Sequence, residues 1–184
     1  MKVLIIFVII GLIVVIYAVA GYNSFIKMKN RIEEAFATMD VYLKKRWDLI
    51  PNLVNTVKGY AEHEKSTLEA VTSMRRQSYD NMTADEKIEA NKVLGAGLGR
   101  LIATAEAYPE LKADAGFRQL SDQLNAIEND IANSRKYYNA TVREMNTKIE
   151  TFPSNIIAGI FHFTRYRMYE VESPAERDNV KVEF

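Results

Sequence analysis

The chain opens on an unbroken apolar run and then settles into helical periodicity. From Val3 to Tyr22 no residue is charged, and nearly all are Val, Ile, Leu, Ala or Phe. At 1.5 Å per helical residue such a run spans about 30 Å, the hydrocarbon thickness of a bilayer. A soluble core helix keeps a polar face, and none appears before Asn23. The pattern predicts a transmembrane helix over residues 1–22. Ala18-Val19-Ala20 also has the A-x-A form that a signal peptidase accepts, so a cleaved signal peptide is the competing reading. The run exceeds the usual apolar length of a signal peptide and begins with a single cationic side chain, Lys2, which favours a retained anchor.

Past Tyr22, the first amphipathic stretch covers about residues 23–47, with Ile32, Phe36, Met39 and Leu43 as its seam. Asp48-Leu49-Ile50-Pro51 reads as the start of a second helix, because an acidic cap followed by proline suits a first turn. The seam also continues in phase through Ile50, Val54, Val57 and Ala61, which fits one long helix kinked at Pro51. The break is the favoured reading, with the second helix running through Leu68 and Val71 to about Tyr79. Thr83-Ala84-Asp85-Glu86 forms a capping box for a third helix reaching about Ala107. That helix carries Gly95, Gly97 and Gly99, so it should be soft or closely packed. A fourth begins near Ala115, with the ladder Phe117, Leu120, Leu124, Ile127, Ile131, Tyr138, Val142, Met145, Ile149 and Phe152, stuttering once near Tyr138. At about 36 residues it would be roughly 54 Å long. A stripe of that length needs partners, and four amphipathic helices point to an all-α fold: an elongated antiparallel four-helix bundle over residues 23–169 behind the transmembrane helix. Phe152-Pro153 ends the fourth helix. The octet 156–163 that follows is apolar, and residues 170–184 form a polar tail, extended or poorly ordered.

Composition narrows the function. The 184 residues hold 24 basic and 24 acidic side chains, so no net field gathers polyanions and nucleic acid is not an expected partner. The absence of cysteine removes disulfides, thiolate metal sites and thiol nucleophiles. Two histidines remain, His63 and His162. His63-Glu64 lacks the second histidine of a zinc hydrolase, and neither histidine sits in a nucleophile or di-metal pattern. Gly95-Ala96-Gly97-Leu98-Gly99 has neither the strand nor the helix start that a phosphate loop needs. No catalytic residue, metal, cofactor or small-molecule substrate is expected. Two interaction candidates stand out. Lys44, Lys45 and Arg46 flank the sole tryptophan, Trp47, and could meet carboxylates or lipid headgroups; the plain alternative is a helix-end charge complement around a core aromatic. Ile156, Ile157, Phe161 and Phe163 with Arg165 and Arg167 could form an interfacial membrane segment, against the alternatives of a bundle cap or a subunit contact.

The blocks Tyr22-Asn23, Asp40-Val41-Tyr42-Leu43-Lys44-Lys45-Arg46-Trp47-Asp48-Leu49-Ile50-Pro51-Asn52-Leu53-Val54, Val57-Lys58-Gly59-Tyr60-Ala61-Glu62-His63-Glu64 and Glu106-Ala107-Tyr108-Pro109-Glu110-Leu111-Lys112-Ala113 carry a resemblance. So do Glu128-Asn129-Asp130-Ile131-Ala132, Tyr137-Tyr138-Asn139, Phe152-Pro153-Ser154-Asn155-Ile156-Ile157-Ala158 and Lys181-Val182-Glu183-Phe184. Taken in order, they resemble the LemA family of bacterial membrane proteins. The resemblance implies a membrane helix followed by a four-helix bundle and supplies no catalytic residues. Lys27, Lys29 and Arg31 after the span outnumber Lys2 and the amino group before it, which predicts a body in the cytoplasm at the bacterial inner membrane. The expected role is that of a single-pass scaffold or adaptor acting through a protein partner or a homo-oligomer. A lipid-binding or membrane-shaping protein using residues 156–167 is one rival; an adaptor or substrate of a membrane protease is the other.

Overall fold

The computed structural model describes residues 1–60, 69, 72–73 and 78–170. Every regular element among them is helical: α1 Lys2–Lys58, a 3-10 turn Tyr79–Asn81, α2 Ala84–Glu106, α3 Pro109–Ala113, α4 Ala115–Glu150 and α5 Ser154–Ile160. Of the second helix expected from about Asp48 to Tyr79, the stretch 61–77, with His63, lies outside the described residues except for positions 69, 72 and 73, and so does the tail beyond Glu170. The chain divides into two compact units, each described by itself: Met1–Thr38 with Ser134–Met168, and Met39–Asn133 with the described residues from Tyr169 on.

In the first unit, α1 carries the apolar run. Val3 to Val19 are open to the surroundings, which excludes the reading of a buried core helix for this stretch. It is long and apolar enough to cross a membrane. Further along, Phe25, Ile32 and Ala35 turn inward, as do Tyr138, Val142 and Met145 of α4. Phe36, expected on the seam, is only half-buried and meets Tyr138 edge-on, with ring centroids 5.9 Å apart. Ser24 accepts a hydrogen bond from the Lys148 ammonium, and Arg31 reaches both the Tyr137 hydroxyl at 3.4 Å and Glu144 at 3.5 Å.

In the second unit, the favoured break at Pro51 does not occur. α1 runs through it to Lys58. Proline withholds the N–H that the Trp47 carbonyl would accept, a loss of about 3 kcal/mol in a helix interior. Trp47, Ile50, Leu53 and Val57 are all buried around it, and each large apolar side chain contributes roughly 1.5–3 kcal/mol, enough to hold the helix together. Asp48, rather than capping a new helix, pairs with Lys44 one turn back at 2.9 Å.

The start of α2 follows its sequence pattern. The Glu86 carboxylate accepts the Thr83 N–H at 2.7 Å, and the Thr83 hydroxyl accepts the Glu86 N–H at 3.3 Å. The Gly95–Gly99 run is helical, with Leu94, Leu98 and Leu101 buried about it. A Cβ at Gly99 would meet nothing within 4 Å. Gly99→Ala should therefore raise stability by about 0.5–1 kcal/mol in denaturant titration. A loss would show that the open face is covered.

The start of α4 depends on a carboxylate. Asp114 accepts the Phe117 N–H at 2.8 Å and the Tyr60 hydroxyl at 3.1 Å. These donors, the Phe117 N–H foremost, hold its carboxyl below the usual carboxylate range, and the Thr83 N–H does the same for Glu86. A depressed native pKa stabilises above the unfolded value, and that gain disappears as pH falls through the native one. Melting temperature should thus decline on acidification, and Asp114→Asn should flatten part of that decline; an unchanged profile would remove Asp114 from the account.

The seam of α4 matches its expected ladder closely. Phe117, Leu124, Ile131, Tyr138 and Met145, seven apart, are all buried, and the stutter near Tyr138 does not interrupt the helix. Phe152 departs from the ladder. It lies past the end of α4, 79% exposed.

Candidate functional site

The basic quartet at 44–47 divides by helix face. Arg46 and Trp47 are only 4% and 3% exposed, whereas Lys44 and Lys45 lie nearer the surface. The Arg46 guanidinium donates to the Asn91 carbonyl at 2.6 Å, to Asn91 Oδ1 at 3.1 Å and to both Glu128 oxygens at 2.8 and 3.0 Å. It thereby links α1, α2 and α4. Trp47 packs tilted against Tyr79, and the Lys44 ammonium approaches the same ring. The Tyr79 hydroxyl donates to Asp40 at 2.7 Å, and Lys87 closes on the other Asp40 oxygen at 2.7 Å. Burial first, and the adjacent Asp40 carboxylate second, push the Tyr79 hydroxyl far above its ordinary pKa. Arg46 and Trp47 thus act as fastenings of the second unit, while Lys44 and Lys45 remain at its surface. Of the residues that complete these contacts, Asp40 and Glu128 stand in the sequence only within blocks of family resemblance, with no contact assigned, and Asn91 is not marked at all. Their types are ordinary, and only folding aligns them.

The second candidate belongs to the first unit. α5 lies against the end of the apolar run: Ile157 Cδ1 crowds the place where a Cβ at Gly21 would stand. Phe161 meets Tyr22 at 4.7 Å between ring centroids, and Phe163 stacks on Phe25 at 4.7 Å. Glycine at position 21 permits this approach. The turn after α5 is a Schellman motif: the Phe163 N–H returns to the Ala158 carbonyl at 2.9 Å and the His162 N–H to Gly159, with His162 left-handed at φ 56°. His162 is exposed, and its visible role is in the backbone. Ile157 is buried and Phe163 half-buried, while Phe152, Ile156, Ile160 and Phe161 point outward. Arg165 pairs with Glu150 at 2.9 Å, and the Arg167 carbonyl accepts the Tyr138 hydroxyl.

Beside this segment, Ser24, Lys27, Met28 and Arg31 of α1 and Arg143, Glu144, Thr147 and Lys148 of α4 line an open groove of about 590 Å³. Lys27 and Arg31 entered the sequence argument only as flanking charge. Nothing local in the sequence pairs them with Arg143 and Lys148, more than a hundred residues away. Among the described residues, no group of three or more His, Cys, Asp or Glu could hold a metal ion.

The sequence model of the LemA family matches residues 35–184. The chain belongs to the LemA family. Its LemA relative in Metamycoplasma hominis, named Protein LemA, is 26% identical over 168 residues, covering 89% of this chain and 76% of that protein. Magnetosome protein MamQ of Magnetospirillum gryphiswaldense is 24% identical over 180 residues, covering 84% of this chain and 66% of its own length. Magnetosome protein MamQ 2 of Paramagnetospirillum magneticum matches to the same extent. The LemA match includes Arg46, Trp47 and the whole of α5.

Proposed function

We propose that this LemA-family chain is a single-pass, non-enzymatic scaffold or adaptor that holds a helical body at the bacterial inner membrane and works by binding a membrane partner or further copies of itself. The observation that carries this reading is the continuity of α1, which passes from the exposed apolar run into the packed body without a break. The helix also crosses Ala18-Val19-Ala20 unbroken, which supports retention of the anchor. The contact order favours an antiparallel bundle. In the first unit residues 24, 31 and 36 meet 148, 144 and 138; in the second, 46 and 60 meet 128 and 114. Family membership and the magnetosome-protein relatives are consistent with a membrane-associated, non-enzymatic role. Confinement at a membrane raises the effective concentration of partners without new contacts.

Cross-linking in intact membranes followed by solubilisation should recover the chain joined to a second copy or a partner. A lone monomer at every cross-linker length would overturn the scaffold. On this reading the body faces the cytoplasm, so a reporter enzyme active only outside the inner membrane, fused after Phe184, should be silent; activity there would overturn the orientation.

A second reading has its own support: residues 156–167 engage the bilayer surface, because α5 sits at the level where α1 leaves the apolar run. Phe161→Trp, read against Trp47, should then be quenched by lipids brominated near the headgroup. No quenching would remove this role.

A further inference from the structure

We infer that the groove of the first unit binds the phosphate of an anionic phospholipid in the bilayer that α1 would enter. The inference rests on the reading of residues 1–22 as an anchor. If hydrocarbon ends at Tyr22, the helical rise puts Ser24 about 3 Å, Lys27 about 8 Å and Arg31 about 14 Å beyond it. The headgroup layer is about 5–8 Å deep on each side. Ser24 and Lys27 therefore fall at phosphate depth, and the Arg31 backbone about 6 Å outside it.

Charge identifies the occupant. Lys27, Arg31, Arg143 and Lys148 line the groove against a single carboxylate, Glu144, although the chain as a whole is neutral. Glu144 is engaged by Arg31, and Lys148 donates to Ser24 and lies 5.1 Å from the Phe25 ring centroid. Lys27 and Arg143 have no hydrogen-bonded or ion-paired partner among the described residues, so they are available to an incoming phosphate. Met28 and Ala140 supply an aliphatic wall that suits the glycerol end of a lipid. α5 and Phe161 contact α1 at Gly21 and Tyr22, within one helical turn of Ser24 in the groove lining.

The test uses the full chain in phosphatidylcholine vesicles carrying a trace of spin-labelled lipid. Spin-labelled phosphatidylglycerol should be immobilised about fivefold more than spin-labelled phosphatidylcholine, as expected for one well-placed cation near the surface. The Lys27→Gln/Arg143→Gln double variant should bring that ratio close to one. Neither residue fastens the fold, so its melting temperature and helical circular dichroism should stay unchanged. Equal immobilisation of the two lipids by the natural chain would overturn the proposal, as would full selectivity in the double variant. Loss of selectivity on adding millimolar inorganic phosphate would overturn the lipid as ligand and assign a soluble anion instead. Release of the protein by alkaline carbonate would overturn the anchor reading and this proposal with it. Equal immobilisation by a retained protein would remove the groove alone.

Discussion

Replacing Arg46 with methionine should lower the stability of the body by about 3 kcal/mol, a fall of roughly 6–12 °C in melting temperature. Two partners are left behind, and they do not suffer equally. Glu128 keeps 41% of its side chain exposed and can take water in place of the guanidinium. Asn91 is 0% exposed, and its carbonyl and side-chain oxygen both lose their arginine donors. A buried polar group stripped of partners costs about 1–3 kcal/mol, and hydrogen bonds from a charged donor are the stronger kind. Most of the loss therefore arises at Asn91, and Glu128→Gln should cost less than about 1 kcal/mol. Urea titration of both variants checks the asymmetry. Equal losses would place the energy in the ion pair instead.

Phe25→Ala should cost about 3–4 kcal/mol, with its first effect on residues 161–168 rather than on the whole chain. Phe25 is fully buried, with Phe163 stacked on its ring and the Lys148 ammonium 5.1 Å from its ring centroid. Removing the ring leaves a cavity and frees the segment after α5, so amide exchange at Phe163 should accelerate before global unfolding does. Phe25→Leu retains most of the volume and should cost under about 1.5 kcal/mol. Exchange that accelerates uniformly would show that this segment is no separate cooperative unit.

The features that depend on local chemistry could be read from the sequence. The limits of α4, the capping box at Thr83 and the apolar run each follow from spacing or from one side chain meeting its own backbone. Pro51 was misleading because the local rule favours a helix start there, and only burial of Trp47, Ile50, Leu53 and Val57 decides otherwise. Arg46 shows the same limit. Its charge suggests a surface, while Asn91 and Glu128 draw it inward from positions 45 and 82 residues away. Phe152 continued the apolar period on paper, but α4 ends two residues before it. The groove escaped for a different reason: its cations come in two pairs from opposite ends of the chain.

α1 reaches Thr38 with no joint at the end of its apolar run, the point where a membrane-spanning helix would leave lipid. A rod of that kind turns any lean imposed by a bilayer thinner than its apolar length into an equal lean of whatever it supports. Local membrane thickness would then be converted directly into the bearing of the part outside, with no swivel to absorb it.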